Sequence, residues 1–175
     1  MPEPSSQEIA TRHSWECWPP GPMEPIPFHA IFSAAQYARI RRGFVPDVME
    51  DKWFIYWEED ILYLHRSWTG RCIYRVHFES EQDAYEVSRA FVTAGEAQYR
   101  RAADDHEVRQ LHFLIRALLL HECVRFPYPS WIGRWGNRGL YRYLVAGNVL
   151  TLEDYKPGAL IRTWRRLQVW LSGSS

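Results

Sequence analysis

The chain has 175 residues, of which 46% are hydrophobic and 24% charged, a composition typical of one globular domain with a packed core. Its 21 basic residues equal its 21 acidic residues, and this balance argues against nonspecific electrostatic binding of nucleic acid as the main function. The sequence shows neither an apolar run long enough to span a membrane nor the basic start and apolar stretch of a secretory signal. These features predict a cytoplasmic protein that does not bind membranes.

The cysteines and histidines give no pattern typical of a metal site. Cys17, Cys72 and Cys123 are far apart and odd in number, which indicates neither a disulfide framework nor a zinc ribbon. We therefore expect no metal and no cofactor. Arginine and aromatic residues are abundant, since only Lys52 and Lys156 of the 21 basic residues are lysine. This bias suits stacking and bidentate contacts with phosphate, but core packing of the aromatic residues and a GC-rich genome are the explanation we favour.

The N-terminal region and the segment after it differ in composition. Residues 1–27 are rich in proline and predict an extended arm without its own core, able to dock through Trp15 and Trp18. Residues 28–175 are then a single α+β domain. Its first predicted element is a helix of about 15 residues, because apolar residues recur at helical spacing from Phe28 onward.

Residues 51–80 are dense in aromatic and β-branched residues and predict two β-hairpins. The first has a two-residue turn at Glu59-Asp60, and for the second we favour a three-residue connection from Thr69 to Arg71 over a two-residue Thr69-Gly70 turn. Because residues opposite one another share a face of the sheet, the apolar pattern also fixes a register. The predicted pairs are Trp57 with Leu62, Ile55 with Leu64, Trp53 with Arg66, Leu64 with Val76 and Leu62 with Phe78.

This register separates the hairpin side chains into two faces of different chemistry. One face is apolar and belongs to the core, whereas the opposite face combines aromatic rings with histidine and arginine, which suits a nucleotide-like ligand. Burial of the second face under a helix or the N-terminal arm is the alternative. The predicted core face holds Trp53, Ile55, Trp57, Leu62, Leu64, Tyr74, Val76 and Phe78, and the opposite face holds Phe54, Tyr56, Tyr63, His65, Ser67, Arg75 and His77.

The rest of the chain predicts one more strand and further helices. Residues 82–95 fit a strand or a capped helix, and we favour a fourth strand. Asp104 and Glu107 are spaced as an acidic N-terminal cap for a strong amphipathic helix that ends before Pro127. The predicted fold is thus α+β, an antiparallel meander of three or four strands packed against helices.

The last 45 residues carry an excess of positive charge. From Trp131 onward there are seven basic residues against Glu153 and Asp154. The string WIGRWGNRGLYRYLV suits phosphate or single-stranded nucleic acid, but a docked helix with a solvated basic edge is the interpretation we favour.

The sequence lacks the Gly-rich phosphate loops, the nucleophile elbow, HExxH and CxxC, so no catalytic residue is assigned and enzymatic activity stays open. The most unusual string is HRSWTG, residues 65–70, where polar and stacking side chains gather beside a turn. Together with the second sheet face it predicts a ligand site. The predicted ligand-binding residues are Lys52, His65, Arg66, Trp68 and Arg75.

Two long strings resemble a bacterial family. Residues 49–79 contain MEDKWFIY, HRSWTG and CIY, and residues 96–120 contain a Gln-Tyr pair, an acidic segment and LIRALLL. Both resemble a family that is often catalogued with ADP-ribosyl-dinitrogen-reductase glycohydrolases. The resemblance implies a link to ADP-ribose or NAD metabolism and favours the fourth strand. Those glycohydrolases are larger, all-helical magnesium enzymes, so the resemblance does not imply that this chain is the hydrolase itself.

The expected function is therefore that of a binding or accessory domain for an ADP-ribose-like nucleotide. Two alternatives remain open. One is an immunity or antitoxin-like module that binds a protein partner, because exposed arginine and aromatic residues anchor interfaces. The other is an ADP-ribosyl or glycosidic hydrolase that uses one of the acidic pairs.

Overall fold

A computed structural model describes residues 9–81, 84–95, 99, 101–132, 137–147, 149 and 151. Within these residues the chain forms an antiparallel six-stranded sheet and three α-helices, the second of which continues into a π-helical turn. In chain order the elements are β1 (Met23–Ile26), β2 (Ile31–Ser33), α1 (Ala34–Ile40), β3 (Trp53–Glu58), β4 (Ile61–Arg66), β5 (Cys72–Glu81), β6 (Ala84–Thr93), α2 (Asp104–Leu114), the π-turn (Ile115–Leu119) and α3 (Arg138–Ala146).

The sheet is built on the predicted meander. Strands β3, β4, β5 and β6 follow one another in space, β1 lies beyond β6, and β2 also pairs with β6. The predicted α+β class is confirmed, and so is the fourth strand, because β6 pairs with β5 from Ala84 to Val92. Strand β6 has neighbours on both sides, so its backbone groups are bonded in the sheet as a strand requires.

The first hairpin has the predicted register. Trp57 lies opposite Leu62, and the two-residue turn between the strands is formed by Glu59 and Asp60. Both turn residues have positive φ, 51° and 60°, as a type I′ turn requires. This turn matches the right-handed twist of the two strands, which explains why two acidic residues tolerate the conformation.

The second hairpin differs from its predicted register by two residues. Val76 lies opposite Leu62 rather than Leu64, and Leu64 lies opposite Tyr74. The pairing is irregular between Leu64 and His65, so the connection to β5 is longer than expected. A shift of two residues leaves every side chain on its predicted face, because strand side chains alternate with a period of two.

The two predicted faces are separate in the structure. The predicted core face, here called the inner face, joins Leu111 and Leu114 of α2 in the main apolar cluster. The opposite face, here called the outer face, is partly covered by the N-terminal arm: Phe54 and Tyr56 form a second buried cluster with Ala10.

The arm contributes to the sheet, and the first helix is shorter than predicted. Residues 23–26 form β1, and residues 31–33 form β2 where the periodicity predicts helix. Helix α1 starts only after Ser33, whose side chain and that of Gln36 form a reciprocal capping box. The periodicity prediction is wrong at its start because Phe32 packs against Phe78 from an extended strand.

The predicted amphipathic helix is present as α2 and its π-turn, but its N-terminal cap differs. Ala103 occupies the cap position without a side-chain bond, and Glu107 turns into the protein interior. The helical segment ends at Leu119, well before Pro127, as expected. Helix α3 falls on part of the arginine-rich string, whereas Arg134 and the basic residues after Thr151 lie outside the described residues.

The described part of the chain contains no helix that is long and apolar enough to cross a membrane. Cys17, Cys72 and Cys123 are free thiols. Burial raises the pKa of Cys72 to about 12, so its thiol is protonated at neutral pH.

Candidate functional site

The HRSWTG segment forms the turn between β4 and β5 and is held by the N-terminal arm. The Gly70 carbonyl accepts a hydrogen bond from the backbone N–H of Trp18 at 2.8 Å and lies 2.9 Å from Nδ1 of His65. The indole N–H of Trp15 donates to the Ser67 carbonyl at 2.8 Å. Gly70 has a φ of 66°, a conformation that glycine adopts at no steric cost. The turn is therefore fixed by both the strand and the arm.

Lys52 and Trp68, two of the predicted ligand residues, contact each other. The Lys52 ammonium lies 3.8 Å from the centre of the Trp68 ring and 4.5 Å from that of Tyr143, and it donates to the Met49 carbonyl at 3.2 Å. Lys52 is buried, whereas 66% of Trp68 is exposed. The lysine thus stabilises the approach of the turn to α3 through cation–π contacts, and one face of the Trp68 ring is already occupied.

His65 and Arg75 lie on the outer face. His65 is fully buried, and its Nε2 has no hydrogen-bond partner among the described residues. Burial lowers the pKa of His65, with the hydrogen bond to Gly70 acting in the opposite direction. The Arg75 guanidinium stacks at 4.9 Å from the centre of the Phe91 ring. Both residues are therefore packed against neighbouring side chains of the outer face.

Arg66 lies on the inner face, opposite Trp53, and contacts the C-terminal end of α3. Its two terminal nitrogens donate to the carbonyls of Val145 and Leu144 at 3.0 Å and 2.7 Å. The guanidinium also stacks at 5.0 Å from the Trp53 ring centre. A cation at the C-terminal end of a helix is favourable because the free carbonyls there carry partial negative charge.

The five predicted residues therefore divide between two sides of the turn, and Arg66 opens onto a cleft. This cleft, here called the turn cleft, has a volume of about 810 Å³ and lies between the turn, the start of α2, the segment 129–131 and α3. Its lining includes Arg66, Thr69, Tyr99, Arg101, Asp105, His106, Arg109, Gln110, Ser130, Trp131 and Tyr141.

Three guanidinium groups of the described residues line the turn cleft, and each has different partners. Arg101 forms ion pairs with Glu24 and Asp104. Arg109 pairs with Asp105 at 2.9 Å on the exposed surface of α2, where an ion pair is weak and readily exchanged. Arg66 is bonded to backbone carbonyls instead, so its positive charge is not neutralised by those partners.

A buried polar network lies behind the cleft and centres on Glu107. The side chain of Glu107 is fully buried and accepts hydrogen bonds from the hydroxyls of Tyr74 and Tyr99 and, at 2.7 Å, from the backbone N–H of Ala102. Gln110 donates to the Tyr74 and Tyr99 hydroxyls at 3.0 Å and 3.1 Å. Burial raises the pKa of both tyrosines, and the carboxylate of Glu107 raises it further, so both hydroxyls are protonated donors at neutral pH. The network fixes Tyr99 and Gln110 in the cleft wall.

The other wall of the turn cleft carries aromatic rings. Trp131 is 73% exposed and meets Tyr141 edge-on with ring centres 5.5 Å apart. The Tyr141 hydroxyl lies 3.4 Å from Nε2 of His106, whose pKa is lowered by burial. The cleft therefore places exposed ring surface within the same cavity as the guanidinium groups.

Sequence reasoning missed most of these cleft residues. Glu107 and Gln110 stand on the buried side of α2 beside Leu111 and Leu114, and a polar pair within an apolar stripe is the signal that could have identified the network. Tyr99, Arg101 and Trp131 come from irregular segments, and only the tertiary structure brings them to the turn.

The described residues contain no group of three or more histidine, cysteine, aspartate or glutamate side chains placed to hold a metal ion. Comparison of the chain with protein-family models, curated proteins and solved structures found no match. The family resemblance of residues 49–79 stays a prediction.

Proposed function

We propose that this protein is a binding or accessory domain for an ADP-ribose-type nucleotide and that the turn cleft is its site. The observation that carries the proposal is the position of Arg66. It belongs to the HRSWTG string, and its guanidinium lines a cavity that also contains exposed aromatic surface.

The chemistry of the turn cleft suits the parts of such a nucleotide. Arg66 and Arg109 supply planar groups for bidentate contacts with a diphosphate. Trp131 offers a ring for stacking on the adenine base, since an aromatic face accepts any base. The hydroxyls of Thr69 and Ser130 and the amide of Gln110 are hydrogen-bonding groups for ribose. The cavity volume lies within the range of about 300–1,000 Å³ that small-molecule sites occupy.

The proposal is tested by titrating the purified protein with ADP-ribose in calorimetry and thermal unfolding. A ligand that binds only the folded state adds about 2.7 kcal/mol of stability at about 100 times its dissociation constant. Arg109→Ala and Trp131→Ala remove exposed contacts, and each is expected to weaken binding about tenfold while leaving the unliganded stability unchanged. Arg66→Lys keeps the positive charge but loses the planar guanidinium that makes bidentate contacts, and it is also expected to weaken ADP-ribose binding about tenfold.

Arg89→Ala and Trp18→Ala are matched controls, because both side chains are exposed and neither lines the turn cleft. Their affinity for ADP-ribose is expected to equal that of the wild type. Absence of binding at millimolar ADP-ribose overturns the proposal, and so does binding that the cleft variants leave unchanged.

A second candidate function is the binding of a protein partner through α3. Leu140 and Leu144 lie one helical turn apart and are 53% and 52% exposed, and Trp131 is exposed near the same helix. Such residues are frequent anchors of interfaces. Leu140→Glu with Leu144→Glu tests this candidate: both side chains are exposed, so the buried core stays intact, and the double variant is expected to abolish capture of a candidate toxin by the immobilised protein.

A further inference from the structure

A second cavity lies on the other side of α2. This cavity, here called the α2 groove, has a volume of about 800 Å³. Val108 and His112 of α2 line it, whereas His106 and Gln110 of the same helix line the turn cleft. Its remaining walls come from the segment before β2, the segment 124–128 and the start of α3. The two cavities share Arg109 and are otherwise built from different side chains.

The charge of the α2 groove has one sign. Arg109, Arg125 and Arg138 line it together with His29 and His112, and no carboxylate is among its lining residues in the described part of the chain. Arg109 pairs with Asp105, which points to the exposed surface of α2. Neither Arg125 nor Arg138 forms an ion pair within the described residues. Positive charge in a concave surface attracts anions, because the low-dielectric walls focus the field.

The floor of the α2 groove is apolar. Phe28, Phe113 and Phe126 are buried beneath it, with the ring centres of Phe113 and Phe126 5.0 Å apart. The half-buried side chains of Val108, Val124 and Tyr128 present apolar surface to the cavity. The Arg138 guanidinium lies 5.1 Å from the centre of the Tyr128 ring, so positive charge and aromatic surface are adjacent in the groove. A small inorganic anion would leave this apolar floor in contact with water.

We infer that the α2 groove binds an amphipathic organic anion, a ligand with an acidic head and an aliphatic or aromatic body. The head contacts the Arg125 and Arg138 guanidiniums, neither of which is paired with a carboxylate of the described residues. The body covers the apolar surface of Val108, Val124 and Tyr128, and removal of that surface from water adds to the binding energy. A nucleotide fits less well, because its polar ribose would face this apolar surface.

The test is calorimetric titration of the full chain with decanoate, an aliphatic carboxylate, and with anilinonaphthalene sulfonate, an aromatic sulfonate. Both are expected to bind at one site, whereas inorganic phosphate binds about a hundredfold more weakly, because it lacks the apolar body. Arg125→Ala combined with Arg138→Ala is expected to weaken both ligands at least about tenfold. Val124→Asp places a carboxylate in the groove wall and is expected to have the same effect.

Arg89→Ala is the matched control, since Arg89 is exposed, lies on β6 opposite His77 of β5 and does not line the α2 groove. Thermal unfolding of each variant without ligand verifies that the fold is intact. Failure of both probes to bind, or equal affinity of the Arg125/Arg138 variant and the wild type, overturns the inference. Binding of phosphate as strong as that of decanoate also overturns it, because the apolar floor would then contribute nothing.

The same variants keep the two proposals apart. The Arg125/Arg138 variant is expected to lose decanoate but to keep ADP-ribose, and Trp131→Ala is expected to show the reverse. If the wild-type protein binds decanoate but not ADP-ribose, the function proposed for the turn cleft is contradicted, whereas the inference about the α2 groove stands.

Discussion

The inner and outer faces of the sheet both contain buried polar side chains, but they are closed in different ways. On the inner face, Glu107 meets hydrogen-bond donors from both tyrosines and from the backbone, and this network lies behind an open cleft. On the outer face, the arm covers Phe54 and Tyr56 through Ala10, and His65 retains an Nε2 atom without a partner among the described residues.

The difference teaches that polarity on a sheet face does not by itself indicate a ligand site. A ligand needs polar groups that open into a cavity, and the turn cleft provides these on the inner side of the HRSWTG turn. The polar groups of the outer face that lie under the arm serve the packing between arm and sheet. The following variants weaken one face while leaving the other unchanged.

Gly43→Ala is expected to have the largest effect and to act on the outer face. Gly43 has a φ of 67°, and an added Cβ would overlap the carbonyl oxygen of Ile55 and lie 2.7 Å from the Cβ of Ala10. The left-handed backbone and the overlap together cost about 3 kcal/mol or more of unfolding free energy. Urea unfolding followed by tryptophan fluorescence measures the loss.

Gly21→Ala is the control for this variant, because an added Cβ there meets nothing within 4 Å. Its stability should match that of the wild type. Equal stability of Gly43→Ala and the wild type would mean that the arm is not packed against Gly43 as described.

Glu107→Leu tests the inner face. The substitution leaves the Tyr74 and Tyr99 hydroxyls and the Ala102 N–H without their common acceptor, and we expect a loss of about 2 kcal/mol in unfolding free energy. Tyr74→Phe removes one donor and is expected to cost about 1.5 kcal/mol. Because both residues belong to one network, the double variant should lose less than the sum of the two. An additive double variant, or a Glu107→Leu protein as stable as the wild type, contradicts this account.

The third prediction is an acid-dependent loss of stability on the outer face. Burial lowers the folded-state pKa of His65, whereas the unfolded value is about 6.5. The stability contributed by neutral His65 is therefore complete above pH 6.5. It declines as the pH falls from there towards the folded pKa, by up to about 1.4 kcal/mol per pH unit.

Chemical unfolding between pH 7 and pH 5 measures this slope, and His65→Gln should make it shallower because glutamine does not titrate. His77, His106 and His112 also have pKa values lowered by burial, so part of the slope remains in the variant. His13→Gln, at an exposed position of the arm, is the control and should leave the slope of unfolding free energy against pH as it is in the wild type. An identical slope in wild type and His65→Gln would assign the acid sensitivity to the other histidines.

The fold was predictable where a strong local pattern and its long-range partner agree. The hairpin at Glu59-Asp60 has a short turn and matched apolar pairs, so its register followed from the sequence. The register of β4 with β5 did not, because the pairing is irregular between Leu64 and His65 and the apolar pattern does not reveal such an irregularity. The helix expected from Phe28 failed for a related reason: strand β6 offers hydrogen bonds to residues 31–33, and helical periodicity cannot reveal that competition.

Of the turn cleft, only the part formed by the HRSWTG turn could be predicted from the sequence. HRSWTG drew attention as an unusual string, and Arg66 does line a cavity. Residues that complete the turn cleft, such as Tyr99 and Trp131, lie far along the chain from Arg66. No spacing rule joins such positions, since loops rather than regular elements bring them together.

Trp15→Phe is expected to have the smallest effect and concerns the contact between arm and turn. It removes one hydrogen bond, from the indole N–H to the Ser67 carbonyl, while keeping an aromatic ring, so about 1 kcal/mol or less should be lost. Trp18→Phe is the matched control: Trp18 reaches the turn through its backbone N–H, and its side chain is 62% exposed. If the indole bond holds the arm over the outer face, Trp15→Phe alone should speed proteolysis at Arg12. Equal cleavage rates in the two variants would show that the bonds to Gly70 suffice to hold the arm.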